Sequence, residues 1–375
     1  MTRSAPGRDA WIGGLALLVL GTMFVVGWSL ILWRLGPGDA RAYLVLRGLV
    51  TAAGALVPVS SVRWVQAHPA LIPSFAKRMA IAIELCLAAA MTATLVATEQ
   101  WWASRAGIVA PAPWVIAAAA LHQAAMRVNR AVIKLGVEPV QALYTSLGSV
   151  AQLSASMLFA LAYGHLGFVV IGASLASIAI TAVALRVPPR SSDAPSLPRP
   201  LLSFPAWLAD VSQAVPRLVV ALGVAGIMVV PYESAGMLAW LLFTPFLTLG
   251  LPNLTGTMPK LTRGVLLAGA CYATIAVVGP LLYRALFPRW FGGAMLVPYF
   301  APYAFALVPL SYLRKRKGEP DWRTSIAAAA GLAALAVLTR TRGIVGVIQA
   351  SAVKLTVGAA LGIADPTRRE EQLLG

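Results

Sequence analysis

Three basic side chains, Arg47, Arg217 and Lys354, fall inside long apolar runs of the sequence. Burying a cation in such surroundings is costly, so each is first of all a candidate binding group. Guanidinium pairs with phosphate oxygens through two parallel hydrogen bonds and ammonium binds them as a point charge, so the chemistry on offer is the holding of an anion. Arg127 and Arg130 stand two or three turns from the end of another apolar run, placed either to receive a phosphate or simply to anchor a helix end. Two carboxylates, Glu84 and Asp210, also lie in apolar runs, where an acid can bind and release a coupling proton or sodium ion. Blander roles stand beside these. Asp210 precedes Arg217 by seven residues, which puts both on one helix face as an ion pair. Glu84 can serve as a helix-to-helix hydrogen-bond partner, Arg47 can snorkel to the outer surface, and the lone His122 reads as a satisfied packing residue. Covalent chemistry has no candidate: three histidines and two cysteines show no metal-ligand spacing, and Cys86 and Cys271 read as buried free thiols. No catalytic residue, metal site or cofactor is expected.

The elements that position these residues follow from composition. The chain has 375 residues, 59% hydrophobic and 11% charged, with a mean hydropathy of +0.79. No soluble core hides that much apolar surface, so the solvent is lipid. A soluble enzyme, a disulfide-stapled secreted domain and a disordered chain are excluded. At about 20 apolar residues per crossing, spans fall near 11–33, 43–62, 79–98, 113–135, 139–163, 166–187, 203–230, 235–256, 264–287, 294–313, 324–340 and 343–363. The expected fold is thus all-α and polytopic, with about 12 transmembrane helices. The net charge of +17 is distributed by topology rather than gathered for nucleic acid. The N-terminus, the even-numbered gaps and the C-terminal tail, with the helix ends beside them, hold 20 Lys and Arg against 7 on the other side, which puts both termini inside. The first span, too long for a signal sequence, is an uncleaved helix. Trp101 and Trp102 fit an outer aromatic belt. Residues 63–78 form an amphipathic connection suited to the inner leaflet surface.

Residues 188–202 are Pro- and Ser-rich and read as a cytoplasmic linker. They divide the chain into an N-terminal six-helix lobe, 1–187, and a C-terminal one, 203–375. Shifting the sequence by 194 residues lays Pro37, Asp39 and Pro58 over Pro231, Glu233 and Pro252. With six helices per half, the two repeats are parallel and related by an axis along the membrane normal, an arrangement that alternating-access transporters use. Locally, Asp39 and Glu233 read as N-caps of the helices that follow them.

Trp33–Tyr43, WRLGPGDARAY, resembles the "LGPxxYG" hairpin of polysaccharide flippases in the multidrug/oligosaccharidyl-lipid/polysaccharide (MOP) exporter superfamily. Ala125–Gly136 resembles that family's basic stretch closing the fourth helix, Leu202–Leu208 its "L-x-F-x-P" opening of the seventh, Val230–Ala235 its "VGxYSAA" hairpin, and Leu286–Phe291 its "LFGPxY". The likeness runs over most of residues 15–310, with Pro231 and Pro288 standing where the family has Gly. It implies a non-enzymatic, multi-pass protein of the prokaryotic cytoplasmic membrane that flips a polyprenyl-(pyro)phosphate-linked glycan. Its cationic cavity would lie between two lobes, lined by Arg217, Lys354, Arg47, Arg127 and Arg130. A multidrug exporter of the same superfamily is the alternative, and needs an acidic cavity. A membrane glycosyltransferase using Asp39 as base lacks the soluble domain such enzymes carry, and a non-transporting scaffold is the remaining reading. Expected partners are the lipid-linked glycan, membrane lipids and a coupling proton or sodium ion, with no nucleic acid.

Overall fold

A computed structural model describes residues 33–68, 73–133, 138–186, 203–222 and 322–363, together with residues 27, 30, 31 and 201 and scattered positions between 266 and 302. Every regular element among the described residues is helical. The chain divides into two compact units, one of them Gly27–Ser203, the other holding the described residues from Phe204 onward.

In the first unit, α1 (Pro37–Leu56) opens after an extended Gly36, with Pro37 at the first helical position, where its missing N–H costs nothing. It ends at Val57, whose extended backbone leads through Pro58 to a corner, and Ser60 then caps the short α2 (Ser61–Ala67) by accepting from the Arg63 N–H. There follow α3 (Pro73–Ala97), α4 (Glu99–Ala106), α5 (Pro113–Ile133), α6 (Glu138–Tyr163) and α7 (Leu166–Leu185). Gly107, at φ +60, closes α4 in the left-handed conformation that glycine adopts freely. The bounds of α5, α6 and α7 track the expected spans closely, whereas α1 and the start of α3 lie six residues before the expected 43–62 and 79–98, and no expected span marks the short α2 and α4. The stretch 63–78 is therefore shared between α2 and the first turns of α3.

The middle of the unit is α5, which packs against α1, α2, α3, α6 and α7. Small residues let the helices approach: Ala88 of α3 meets Ala120 and Ala124 of α5, while Val128 and Val132 meet Ala184 of α7. A hydrogen-bonded ladder runs beside this contact. Ser174 Oγ donates to Ala118 O at 2.7 Å and Thr181 Oγ1 to Ala125 O at 2.8 Å, and His122 Nδ1 lies 2.6 Å from Ser177 Oγ between them. Each such bond is worth about 0.6 kcal/mol in a membrane interior. Leu85, Leu158, Leu175 and Ile178 point outward, as lipid-facing side chains must. Cys86 is among these exposed residues rather than buried, because it follows Leu85 on the outer face of α3; Cys271 lies outside the described residues. The aromatic belt is also corrected. Trp101 is exposed, but Trp102 is 1% exposed and donates its indole N–H to Leu95 O at 2.8 Å, because α4 turns that face back onto the bundle.

Basic side chains crowd one end of this unit. Arg63, Lys77, Arg78, Arg130 and Arg186 gather where α1, α5 and α7 end and α3 begins, and Lys77 Nζ donates to Leu185 O at 2.6 Å to close α7. At the opposite end, Asp39 does not cap its own helix. Its Oδ2 accepts the Leu166 N–H at 3.0 Å and so caps α7, tying the α1 hairpin to the turn between α6 and α7. The second copy of this motif, Pro231–Leu238, and Pro252 lie outside the described residues, as does almost all of 188–202.

In the second unit, α8 (Phe204–Leu222) packs against α9 (Trp322–Ile363). The latter is a folded-back pair. Gly343 breaks it with φ +56 and ψ −132, and a Cβ on Gly331 would lie 2.6 Å from Cβ of Lys354, which follows it by 23 residues. A straight helix would separate those positions by about 35 Å. The two arms correspond to the expected spans 324–340 and 343–363. Of the described helices, four are long and apolar enough to cross a bilayer on those criteria alone, this kinked pair being counted as one. The chain is therefore a helical, multi-pass membrane protein. With both termini inside, as the Lys and Arg distribution predicts, the Gly343 bend would face outside, so a Thr341→Cys probe in a background free of Cys86 and Cys271 should react with an impermeant maleimide added to intact cells. Reaction only after the membrane is opened would invert the assigned topology.

Candidate functional site

The corner after α1 brings the backbone of α2 against α3 and α5, and the groups that meet there are polar. Glu84, on α3 and 1% exposed, accepts from the Ser61 N–H at 3.0 Å and from Ser61 Oγ at 2.7 Å through its Oε1. Its other oxygen, Oε2, lies 3.6 Å from Nη1 of Arg127 on α5. A carboxylate buried this far needs both charge compensation and hydrogen bonds, and Ser61 and Arg127 supply them from two different helices. Space for the guanidinium comes from α1: a Cβ on Gly54 would run into Arg127 Nη2 and stand 2.8 Å from Cζ. A small pocket opens beside the pair, bounded by Gly54 of α1, Val57 just after it, Glu84 and Met91 of α3, and Gln123 and Arg127 of α5. Its free space of about 20 Å³ suits one oxygen-sized group.

Of the residues expected to carry function, this arrangement unites two, Glu84 and Arg127. Arg130, one turn on, is exposed at the basic end of the unit. Arg47 is half-buried on α1. In the second unit, Lys354 is half-buried and its ammonium donates to Ala209 O at 3.3 Å, where Ser212 Oγ also donates at 2.7 Å. Asp210 is exposed next to that carbonyl, and Arg217 lies two turns further along α8 with its side chain outside the described residues. Ser61, Gly54 and Gln123 were not anticipated. The one available signal was depth: Glu84 lies about three turns from the start of α3 and Arg127 about two turns from the end of α5, close in level once the helices run antiparallel.

No protein-family model matches the chain, and neither does any curated protein. Solved structures do match. A MOP superfamily transporter from Pyrococcus furiosus, described as having a binding pocket of reversed polarity, aligns over 100% of this chain and 98% of its own, with 13% identity and a TM-score of 0.55. The fold is that of the MOP superfamily. A multidrug resistance MATE family transporter in an inward-facing conformation covers 96% of this chain and 98% of its own at 14% identity and a TM-score of 0.53. The lipid II flippase MurJ, inward closed, covers 93% and 86% at 11% identity and a TM-score of 0.53. The fold that this chain shares with them serves multidrug resistance in one case and the flipping of lipid II in another, so it does not select a cargo.

Proposed function

We propose that this chain is a transporter that flips a polyprenyl-(pyro)phosphate-linked oligosaccharide, or exports a polysaccharide, by alternating access. The observation that supports an anionic cargo is the state of Glu84. It is the one carboxylate residue buried as a whole among the described residues, and Ser61 and Arg127 already occupy it. Glu99, whose Oε2 is buried without a hydrogen-bond partner, is half-buried at the start of the short α4, outside the long apolar helices. A cationic drug needs an unclaimed acid, whereas a diphosphate needs guanidinium and ammonium groups, and Arg47, Arg127, Arg130, Arg217 and Lys354 provide them along the chain. The lipid tail of such a cargo stays in the bilayer while its head crosses, so binding and release suffice and no bond is made or broken. A driving proton or sodium ion would use Asp210, or Glu84 once Arg127 has parted from it. The multidrug reading keeps its standing from the MATE fold likeness and makes the opposite demand on charge.

Mass spectrometry of lipids that co-purify with the protein separates the two readings. Wild type should retain a polyprenyl phosphate or diphosphate species, and Arg217→Ala combined with Lys354→Ala should lower it at least about tenfold. Bulk phospholipid alone in both preparations would remove the case for an anionic cargo and move drug export ahead.

A further inference from the structure

The polar corner of the first unit has the makings of a binding site that carries its own occupant. Arginine has five N–H donors in a fixed fork. Among the described residues the Arg127 guanidinium makes one polar contact, to Glu84 Oε2 at 3.6 Å, which is too long for a hydrogen bond. The side chain is 13% exposed, and it lines the pocket shared with Gly54 and Gln123. Gln123 precedes Arg127 by one turn on the same face of α5 and lines the same pocket, and a carboxamide has two N–H donors to offer a ligand there. The acid has a second hold besides the arginine: both Ser61 hydrogen bonds go to Oε1, and the oxygen paired with Arg127 is Oε2. A carboxylate fixed on one side and a guanidinium loosely engaged on the other make a pair that can part at the guanidinium end.

We propose that Arg127 is an exchangeable anion seat, with Glu84 as its resident anion and a phosphate-ester oxygen as the ligand that displaces it. The incoming oxygen occupies the pocket between Gly54 and Gln123 and accepts from the guanidinium at hydrogen-bond distance, which Glu84 does not reach. Glu84 stays with Ser61. No covalent step is involved, since two anions trade places on one cation. Gly54 acts as a positioning residue: any side chain there takes the space in which the guanidinium lies. The exchange also has a mechanical result, because the Glu84–Arg127 contact is what joins the α1–α2 corner and α3 to α5 through charge, and occupancy of the seat releases it. The inference takes its phosphate chemistry from the transport reading and rests on it in that respect.

The test measures binding to the full chain in detergent, by ligand-dependent thermal shift and native mass spectrometry, with inorganic phosphate and a water-soluble short-chain polyprenyl phosphate as separate probes. Wild type should bind at least the lipid phosphate. Glu84→Gln removes the competitor's charge and should tighten binding about tenfold, and Glu84→Asp, which keeps the charge but shortens its reach, should tighten it less. Gly54→Ala and Arg127→Gln should each weaken binding at least about tenfold, the former with every charge retained. A structural ion pair predicts the reverse sign for Glu84→Gln. Unchanged or weaker binding in both Glu84 variants, or no binding of either probe by wild type, overturns the proposal. Binding of both probes alike marks a phosphate seat, and binding of the lipid probe alone marks a headgroup seat; both outcomes support it. The transport reading is judged separately, by flipping of a labelled lipid-linked sugar in proteoliposomes: binding intact without flipping sinks that reading and leaves the seat standing, while flipping intact with binding unmoved by every variant sinks only the seat.

Discussion

Arg127→Met should destabilise the first unit by about 3–5 kcal/mol, because it leaves a buried carboxylate without its counter-charge. Glu84 is 1% exposed and cannot reach water without unpacking α3 from α5. Its two bonds from Ser61 offset part of the desolvation but not the charge. The partner change, Glu84→Gln, should cost less, about 1–3 kcal/mol, since the guanidinium is 13% exposed toward the pocket and keeps some access to water. The double change removes both charges and should be more stable than Arg127→Met alone, an interaction energy of about 1–3 kcal/mol in a double-mutant cycle. Unfolding in detergent by heat or by sodium dodecyl sulfate reads these differences. Strict additivity of the two single changes would mean that Glu84 and Arg127 do not act as a unit.

The fold was legible because lipid imposes a simple rule on the chain. Every backbone group in the bilayer must be satisfied within a helix, so apolar length translates directly into elements. That is why the expected spans at 113–135, 139–163 and 166–187 agree with α5, α6 and α7 to within two residues at either end. The same rule says nothing of which way a side chain faces around a helix whose whole circumference is apolar. Cys86 and Trp102 were therefore assigned to the wrong environments: one looks outward from α3, and the other is turned inward by α4, a helix that the span pattern does not mark. Asp39 shows a related limit. The sequence places it correctly at a helix start, but the N–H that it accepts belongs to Leu166, 127 residues away, and only tertiary packing chooses between the two helix ends.

The site was legible by type and not by pairing. Glu84 and Arg127 stand out as ionisable residues in apolar surroundings, yet the sequence assigns them opposite tasks, one to a coupling cation and one to an anionic cargo. Their union depends on α3 and α5 being neighbours, which small residues such as Ala88 and Ala120 permit without announcing it. Gly54 was invisible for a different reason. In a chain with 32 glycines, the position where the missing Cβ matters is defined by what occupies the space, and that occupant comes from another helix.

The bend in α9 makes the last strong prediction, because backbone rather than side chain fills the space around it. A Cβ on Gly346 would collide with the Leu338 carbonyl and lie 2.8 Å from the Thr339 nitrogen. Neither atom can rotate away, so the clash can be relieved only by moving the two arms apart. Gly343, at φ +56 and ψ −132, adds a second constraint, since a side chain there is strained whatever the space. Gly346→Leu should therefore cost about 1–3 kcal/mol or more, and the loss should appear as opening of the pair. Cysteines at Gly331 and Lys354 report on this directly. Those Cβ positions are 2.6 Å apart, and a slight relaxation reaches the disulfide range of about 3.5–4.5 Å, whereas a straight helix keeps them too far apart to bridge. The bridge should form readily in an otherwise unchanged, cysteine-free background and at least about tenfold more slowly with Gly346→Leu, if the cost is about 1.4 kcal/mol or greater. Failure of the cysteines to bridge even with Gly346 in place would mean that Trp322–Ile363 does not fold back at Gly343. It would then count as one long helix, and the six crossings expected after residue 203 would become five, which puts the C-terminus on the side opposite to that expected.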